Sequence, residues 1–164
     1  MPLPDRPVSG ASIESIWGQT IHDYTFAPSG CAASTSSATA VSTTYLGLNL
    51  DTPDEDPGGY LDVANTQIVI PTDRAGLYLL TALFLVTSSV DGQIILAGYA
   101  LNGTIATRDV IYGETGSTVQ GGIAQVATFT AGDILDFRAK RVGAPNVNVS
   151  AVVQLVRLGA EYGA

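Results

Sequence analysis

From residue 41 the hydrophobic and polar positions read as a series of strands divided by turn signals. Val41–Leu50 reads as a strand with Leu46, Leu48 and Leu50 on one face. Asp51–Tyr60, DTPDEDPGGY, reads as an acidic, turn-rich loop. Gln67–Ile70 is a short strand ending at Pro71. Gly76–Thr87 is long and apolar on both faces, the pattern of a central strand covered on both sides. Gly92–Leu101 and Thr104–Tyr112 flank Asn102-Gly103, a strong hairpin signal because both residues tolerate positive φ. Loop 113–118 leads to Val119–Thr130 and then to the turn Ala131-Gly132-Asp133. In Ile134–Val142, Leu135 and Phe137 alternate with Asp136, Arg138 and Lys140. A Gly143–Asn146 turn precedes a last strand, Val147–Leu158. About eight strands at spacings of ~8–14 residues, with no helix in the body, predict an all-β sandwich or barrel.

The first forty residues differ. Pro2, Pro4 and Pro7 open the chain, and Ile13, Ile16, Trp17 and Ile21 follow at helical spacing within Ser12–Asp23. One or two turns of helix are not stable alone in water, so this piece must dock on its own body, a sister subunit or another protein. Residues 29–44, SGCAASTSSATAVSTT, fit either a flexible linker or a strand of small residues packed closely on a neighbour. The expected division is an N-terminal arm and linker over 1–40 and one β-domain over 41–164.

Composition restricts the functions available. Only 13% of the 164 residues are charged, and mean hydropathy is +0.27. The longest apolar run, Leu77–Val86, contains Thr81 and is too short for a bilayer-spanning helix. No charged-then-apolar leader pattern opens the chain. The apolar excess therefore points to burial between subunits rather than to membrane insertion. Net charge is −8, and residues 1–72 carry eight acids against one base, Arg6. Residues 73–164 carry seven acids and six bases, so the body is nearly neutral. Such a chain is poorly suited to nucleic acid, which requires clustered Lys and Arg. The local basic group Arg138, Lys140, Arg141 reads as one face of a strand, and any electrostatic partner is expected to be basic or a cation.

Catalytic signals are weak. Cys31 and His22 lie in the arm region, which supplies no rigid frame for a Cys–His pair, and no Gly-x-Ser-x-Gly elbow occurs. One Cys and one His cannot make a usual zinc set, and no cofactor motif is present. The loop Gly113–Ser117 lacks the Lys of a phosphate loop and leads into a strand. Asp133 and Asp136 are an odd offset apart, which points them to opposite faces, and Asp133 reads as a turn former. Two chemistries stay open. Asp51, Asp54, Glu55 and Asp56 are either a solvated acidic loop or a site for a hard cation, without EF-hand spacing. Among Tyr60, Tyr78, Tyr99 and Tyr112, Tyr78 reads as core, and Tyr112 with Glu114 in the adjoining loop is the best surface position for a ligand such as a glycan.

The order of landmarks resembles the C1q/TNF-like jelly roll. Pro71 leads to Gly76-Leu77-Tyr78-Leu79-Leu80, then come Ala100-Leu101-Asn102-Gly103, Ala131-Gly132-Asp133-Ile134-Leu135 and a closing Val152–Leu158 strand. The match covers about residues 41–158. It implies a single jelly-roll β-sandwich and a homotrimer with apolar side chains filling the threefold axis. Separately, PVSGASIESIWGQTIHDYTFAP resembles the opening of small virion proteins of tailed bacteriophages. Together these imply a non-enzymatic virion protein, either a minor tail or tail-tip adsorption protein or a capsid decoration or head-fibre protein. Its arm would tie a trimeric knob to other virion proteins at the virion surface through Ile13, Ile16, Trp17 and Ile21. The alternative is a free, lectin-like trimer that binds carbohydrate, possession of the arm then being immaterial to binding.

Overall fold

A computed structural model describes residues 30–143 and 147–160. Residues Ile13, Ile16, Trp17, Ile21 and His22 lie outside the described residues. Within them the chain forms twelve strands, and every strand ladder is antiparallel. They are β1 (Gly30–Thr35), β2 (Thr39–Val41), β3 (Leu46–Gly47), β4 (Leu50–Glu55), β5 (Leu61–Asp62) and β6 (Gln67–Val69). There follow β7 (Gly76–Ser88), β8 (Gln93–Leu101), β9 (Thr104–Gly113), β10 (Thr118–Phe129), β11 (Ile134–Val142) and β12 (Val147–Ala160).

Two sheets share the strands. The first runs β10-β7-β12-β1-β4, with β2 also on β12. The second runs β5-β6-β11-β8-β9, with β3 also on β11. The inward rows of both sheets meet in one core, as alternation requires. Five aromatic rings form a chain through it. Tyr60 meets Tyr78 edge-on at 6.3 Å, Tyr78 meets Phe129 at 5.8 Å, Phe129 meets Tyr99 edge-on at 6.5 Å, and Tyr99 meets Phe137 at 6.3 Å. Such pairs contribute about 0.5–1.5 kcal/mol each beyond area burial. The buried hydroxyls have partners: Tyr60 Oη lies 3.3 Å from Tyr78 Oη, Tyr78 donates to the Arg74 carbonyl, and Tyr99 donates to Gln125 Oε1 at 3.2 Å. Tyr60 and Tyr99, named above with Tyr112 among the candidate tyrosines, are core residues together with Tyr78.

The hairpin β8–β9 turns on Asn102 (φ 50°) and Gly103 (φ 84°), with Leu101 paired to Thr104. Two left-handed residues in a two-residue loop match strand twist, so the Asn-Gly signal is a reliable guide here. Asn102 also binds the next turn: its Nδ2 donates to Asp133 Oδ1 at 2.8 Å, and Ile134 N donates to its Oδ1 at 2.9 Å. Asp133 Oδ2 in turn accepts from Thr130 N at 2.7 Å, as expected of a turn former.

Four expectations need correction. Residues 41–50 are not one strand. The chain passes from β2 in the first sheet to β3 in the second and back to β4. That crossing leaves Leu48 and Leu50 buried but Leu46 38% exposed. The small-residue stretch is a strand, β1, so the sandwich includes residues ahead of 41. Small residues are required because a Cβ on Gly30 would collide with the Leu155 carbonyl of β12. Asp51–Glu55 belong to β4 rather than to a loop, paired with β1 through two register shifts. Finally, β7 is covered on only one side in the single chain, since Leu77 and Leu83 are 41% and 40% exposed.

Candidate functional site

The uncovered side of β7 continues across its neighbours. Register places Leu79 between Val126 of β10 and Val156 of β12, and Leu83 between Gly122 and Val152. Thr81 lies between Ala124 and Gln154, and Leu85 between Gln120 and Ser150. No Asp, Glu, Lys or Arg stands in these rows. The face rises in aliphatic ridges at Leu79 and Leu83 and is low at Gly122 and Ala124. Val126 and Val152 are 55% and 43% exposed. Exposed large apolar residues normally occur singly, whereas here they line a continuous, uncharged stretch of the sheet across β10, β7 and β12. Leu77 and Leu158 extend it at the end where β12 carries an irregularity between Arg157 and Gly159. Chemically, this surface can bury apolar area against another protein.

Other sequence-derived candidates are dispersed. Asp51 accepts from Ser36 N at 2.7 Å and from Ser36 Oγ at 2.6 Å. The Ser36 hydroxyl and backbone bonds hold its carboxyl below the usual range. Asp56 accepts from Tyr60 N at 2.7 Å and Leu61 N at 2.9 Å, closing the turn into β5. Asp54 and Glu55 are exposed. Asp51 and Asp56 therefore serve separate backbone positions, and among the described residues no group of three His, Cys, Asp or Glu side chains is arranged to hold a metal ion. Cys31 is buried in the core, and burial, with a lesser effect of Asp56, pushes its thiol up to about 12. Tyr112 is 60% exposed at the end of β9, opposite Ile94, and Glu114 is exposed in the following loop.

The basic group on β11 is also not one face. Arg138 and Lys140 share the outward row of the second sheet, but Arg141 donates to the Val41 carbonyl at 3.2 Å and to the Gly143 carbonyl. Sequence reasoning missed two contributors to this row, Tyr45 and Arg108. Arg108 Nη1 donates to Tyr45 Oη at 3.5 Å, and Lys140 Nζ sits 4.7 Å from the Tyr45 ring centroid. Only the long-range register of β9, β8 and β11 brings them together.

The order of strands, the two antiparallel sheets and the mixed-sequence crossings define a jelly-roll β-sandwich of the C1q/TNF type. No family model matches the chain, and no curated protein matches it. Solved structures do. The globular domain of zebrafish complement 1qA protein aligns with a TM-score of 0.60 at 8% identity, covering 82% of this chain and 99% of that one. The structure of Eiger TNF from S. frugiperda gives 0.53 at 18% identity, covering 83% and 96%. The PRD1 vertex protein P5 gives 0.51 at 17% identity, covering 79% and 96%. At these identities the likeness is one of fold.

Proposed function

We propose that this chain is a non-enzymatic structural protein of a phage virion, a homotrimeric jelly-roll knob held on the outside of the particle by its N-terminal arm. The observation that carries the assembly is the uncharged face around Leu79, Leu83, Val126 and Val152. Covering it with two further copies accounts for the apolar excess of the composition, and the C1q/TNF-type fold supports a threefold arrangement. The virion assignment draws on the arm's likeness to phage virion openings and on a fold shared with the PRD1 vertex protein P5. The knob serves as a minor tail or tail-tip adsorption protein, or as a capsid decoration or head-fibre protein. Sedimentation equilibrium tests the assembly, the expected mass being about three times 16.9 kDa. A monomer at micromolar concentration contradicts it. Deleting residues 1–28 should abolish incorporation into particles while leaving the trimer intact; full incorporation contradicts the anchoring role. A free carbohydrate-binding trimer is the second reading, favoured by the open Tyr112 side chain, and it predicts glycan affinity independent of the arm.

A further inference from the structure

The outward face of the second sheet has a different character from the uncharged face. Register sets three rows across β9, β8 and β11. Tyr112, Ile94 and Val142 form one, Val110, Leu96 and Lys140 the next, and Arg108, Gly98 and Arg138 the third. Arg138 is neutralised by Asp136, whose Oδ2 accepts from its Nε and Nη2 at 2.5 Å each. Arg108 and Lys140 have no carboxylate partner among the described residues. Both are held against Tyr45 instead, one at its hydroxyl and one over its ring. A chain with net charge −8 and seven bases thus keeps two cations without a carboxylate partner on one face, both against Tyr45. Between Arg108 and Arg138 the floor is Gly98, where a Cβ would collide with the Thr107 carbonyl. Gly98 is itself buried and packs tightly against the β9 backbone. Four residues along β9 from Arg108, about 13 Å at strand rise, Tyr112 presents an exposed ring on the same face.

We infer that this face binds an acidic saccharide chain, one carboxylate being held between Arg108 and Lys140 and a sugar further along the chain resting on Tyr112. Two cations without a carboxylate partner match singly spaced carboxylates. Nucleic acid, at one charge per about 1.7 Å of duplex, demands many more and meets the chain's net negative charge. An aromatic ring with apolar neighbours Ile94 and Val142 suits the C–H face of a sugar, which an acidic peptide does not supply. The reading differs from the expectation that an electrostatic partner is basic or a cation. It does not rest on the virion assignment, because these rows lie on the sheet opposite the proposed threefold contact.

The test uses the full chain with sodium oligogalacturonate, neutral dextran, polyglutamate and polyglycerol phosphate, followed by calorimetry at low salt. Oligogalacturonate should bind saturably and weaken as ionic strength rises. R108Q/K140Q should lose at least tenfold in affinity, and Y112A about threefold, with unchanged melting temperature and mass. R74Q, a base elsewhere on the surface, should bind as the parent does. Absence of oligogalacturonate binding, or equal binding by R108Q/K140Q, overturns the proposal. Tighter binding of polyglutamate or polyglycerol phosphate overturns the saccharide or the carboxylate assignment respectively. Equal binding of dextran overturns the role of charge. Loss of the trimer with binding intact would count against the assembly alone.

Discussion

Replacing Leu83 by Asp is the most direct perturbation of the proposed threefold contact. Leu83 stands on the outer row of β7 between Gly122 and Val152 and is 40% exposed in the single chain. Full burial of a Leu side chain is worth about 1.5–3 kcal/mol, so covering the open part contributes about 0.6–1.2 kcal/mol per protomer. Three protomers lose about 2–4 kcal/mol, which weakens association by roughly 30- to 1,000-fold. Three carboxylates confined near one axis add a desolvation and repulsion cost of several kcal/mol. The fold itself should lose only about 1 kcal/mol, because the side chain points away from the core. Sedimentation equilibrium at ten micromolar (about that concentration suffices) should therefore find L83D as a folded monomer. V110D, on the opposite sheet with a comparably open Val, should keep the parent mass. An L83D protein that sediments with the parent, or a V110D protein that dissociates equally, would refute the reasoning.

Three further outcomes follow from other contacts. N102A should cost about 1–3 kcal/mol in chemical denaturation, because the Asp133 carboxylate and Ile134 N both lose a partner and Ala resists the left-handed φ of 50°; a parent-like midpoint would contradict it. Burial opposes ionisation of Asp133, but hydrogen bonds from Asn102 and Thr130 outweigh it and hold its carboxyl below the ordinary 3.8. Its contribution is thus complete above the unfolded value and lost as pH falls through the lower folded one. D133N should flatten the stability profile on the acid side of 3.8 and leave its slope unchanged near neutrality, whereas parallel acid limbs would count against this. The Cys31 thiol, buried and pushed up to about 12, should resist a thiol reagent in the native protein and react fully in denaturant; rapid native labelling would show that β1 opens.

Local signals read well where the chemistry is local. Asn102-Gly103 specifies its own turn, Ala131-Gly132-Asp133 its own, and the long apolar run from Gly76 and the period of two across Ile134–Val142 mark strands that run straight through one sheet. Reading fails where the chain changes sheets. Leu46, Leu48 and Leu50 have strand spacing, yet the crossing between β3 and β4 sends Leu46 outward. Tyr60 precedes a short strand in polar surroundings, and only the distant Tyr78 reveals why it is buried. The acidic run looked like a loop because its residues disfavour strands, but pairing with β1 overrides that preference. The uncharged face was visible as an apolar excess without an address. Tyr45, Arg108 and Lys140 were invisible as a group, since no spacing along the chain encodes a contact among β9, β11 and the segment before β3.

The position of β12 has a consequence for how the protein is made. It lies between β7 and β1 and also carries β2, so three strands depend on it for hydrogen bonds. Gly30 is matched to Val156 and Gly76 to Ala160, pairings that span most of the described chain. During synthesis the first sheet cannot close until β12 has been produced. Until then β7 has β10 as its sole ladder partner, and its apolar outer row lies beside an unpaired edge. Folding of this sheet is thereby deferred until β12 has emerged and slowed by long loop closure. A nascent chain interrupted before residue 147 is an aggregation hazard rather than a smaller folded domain.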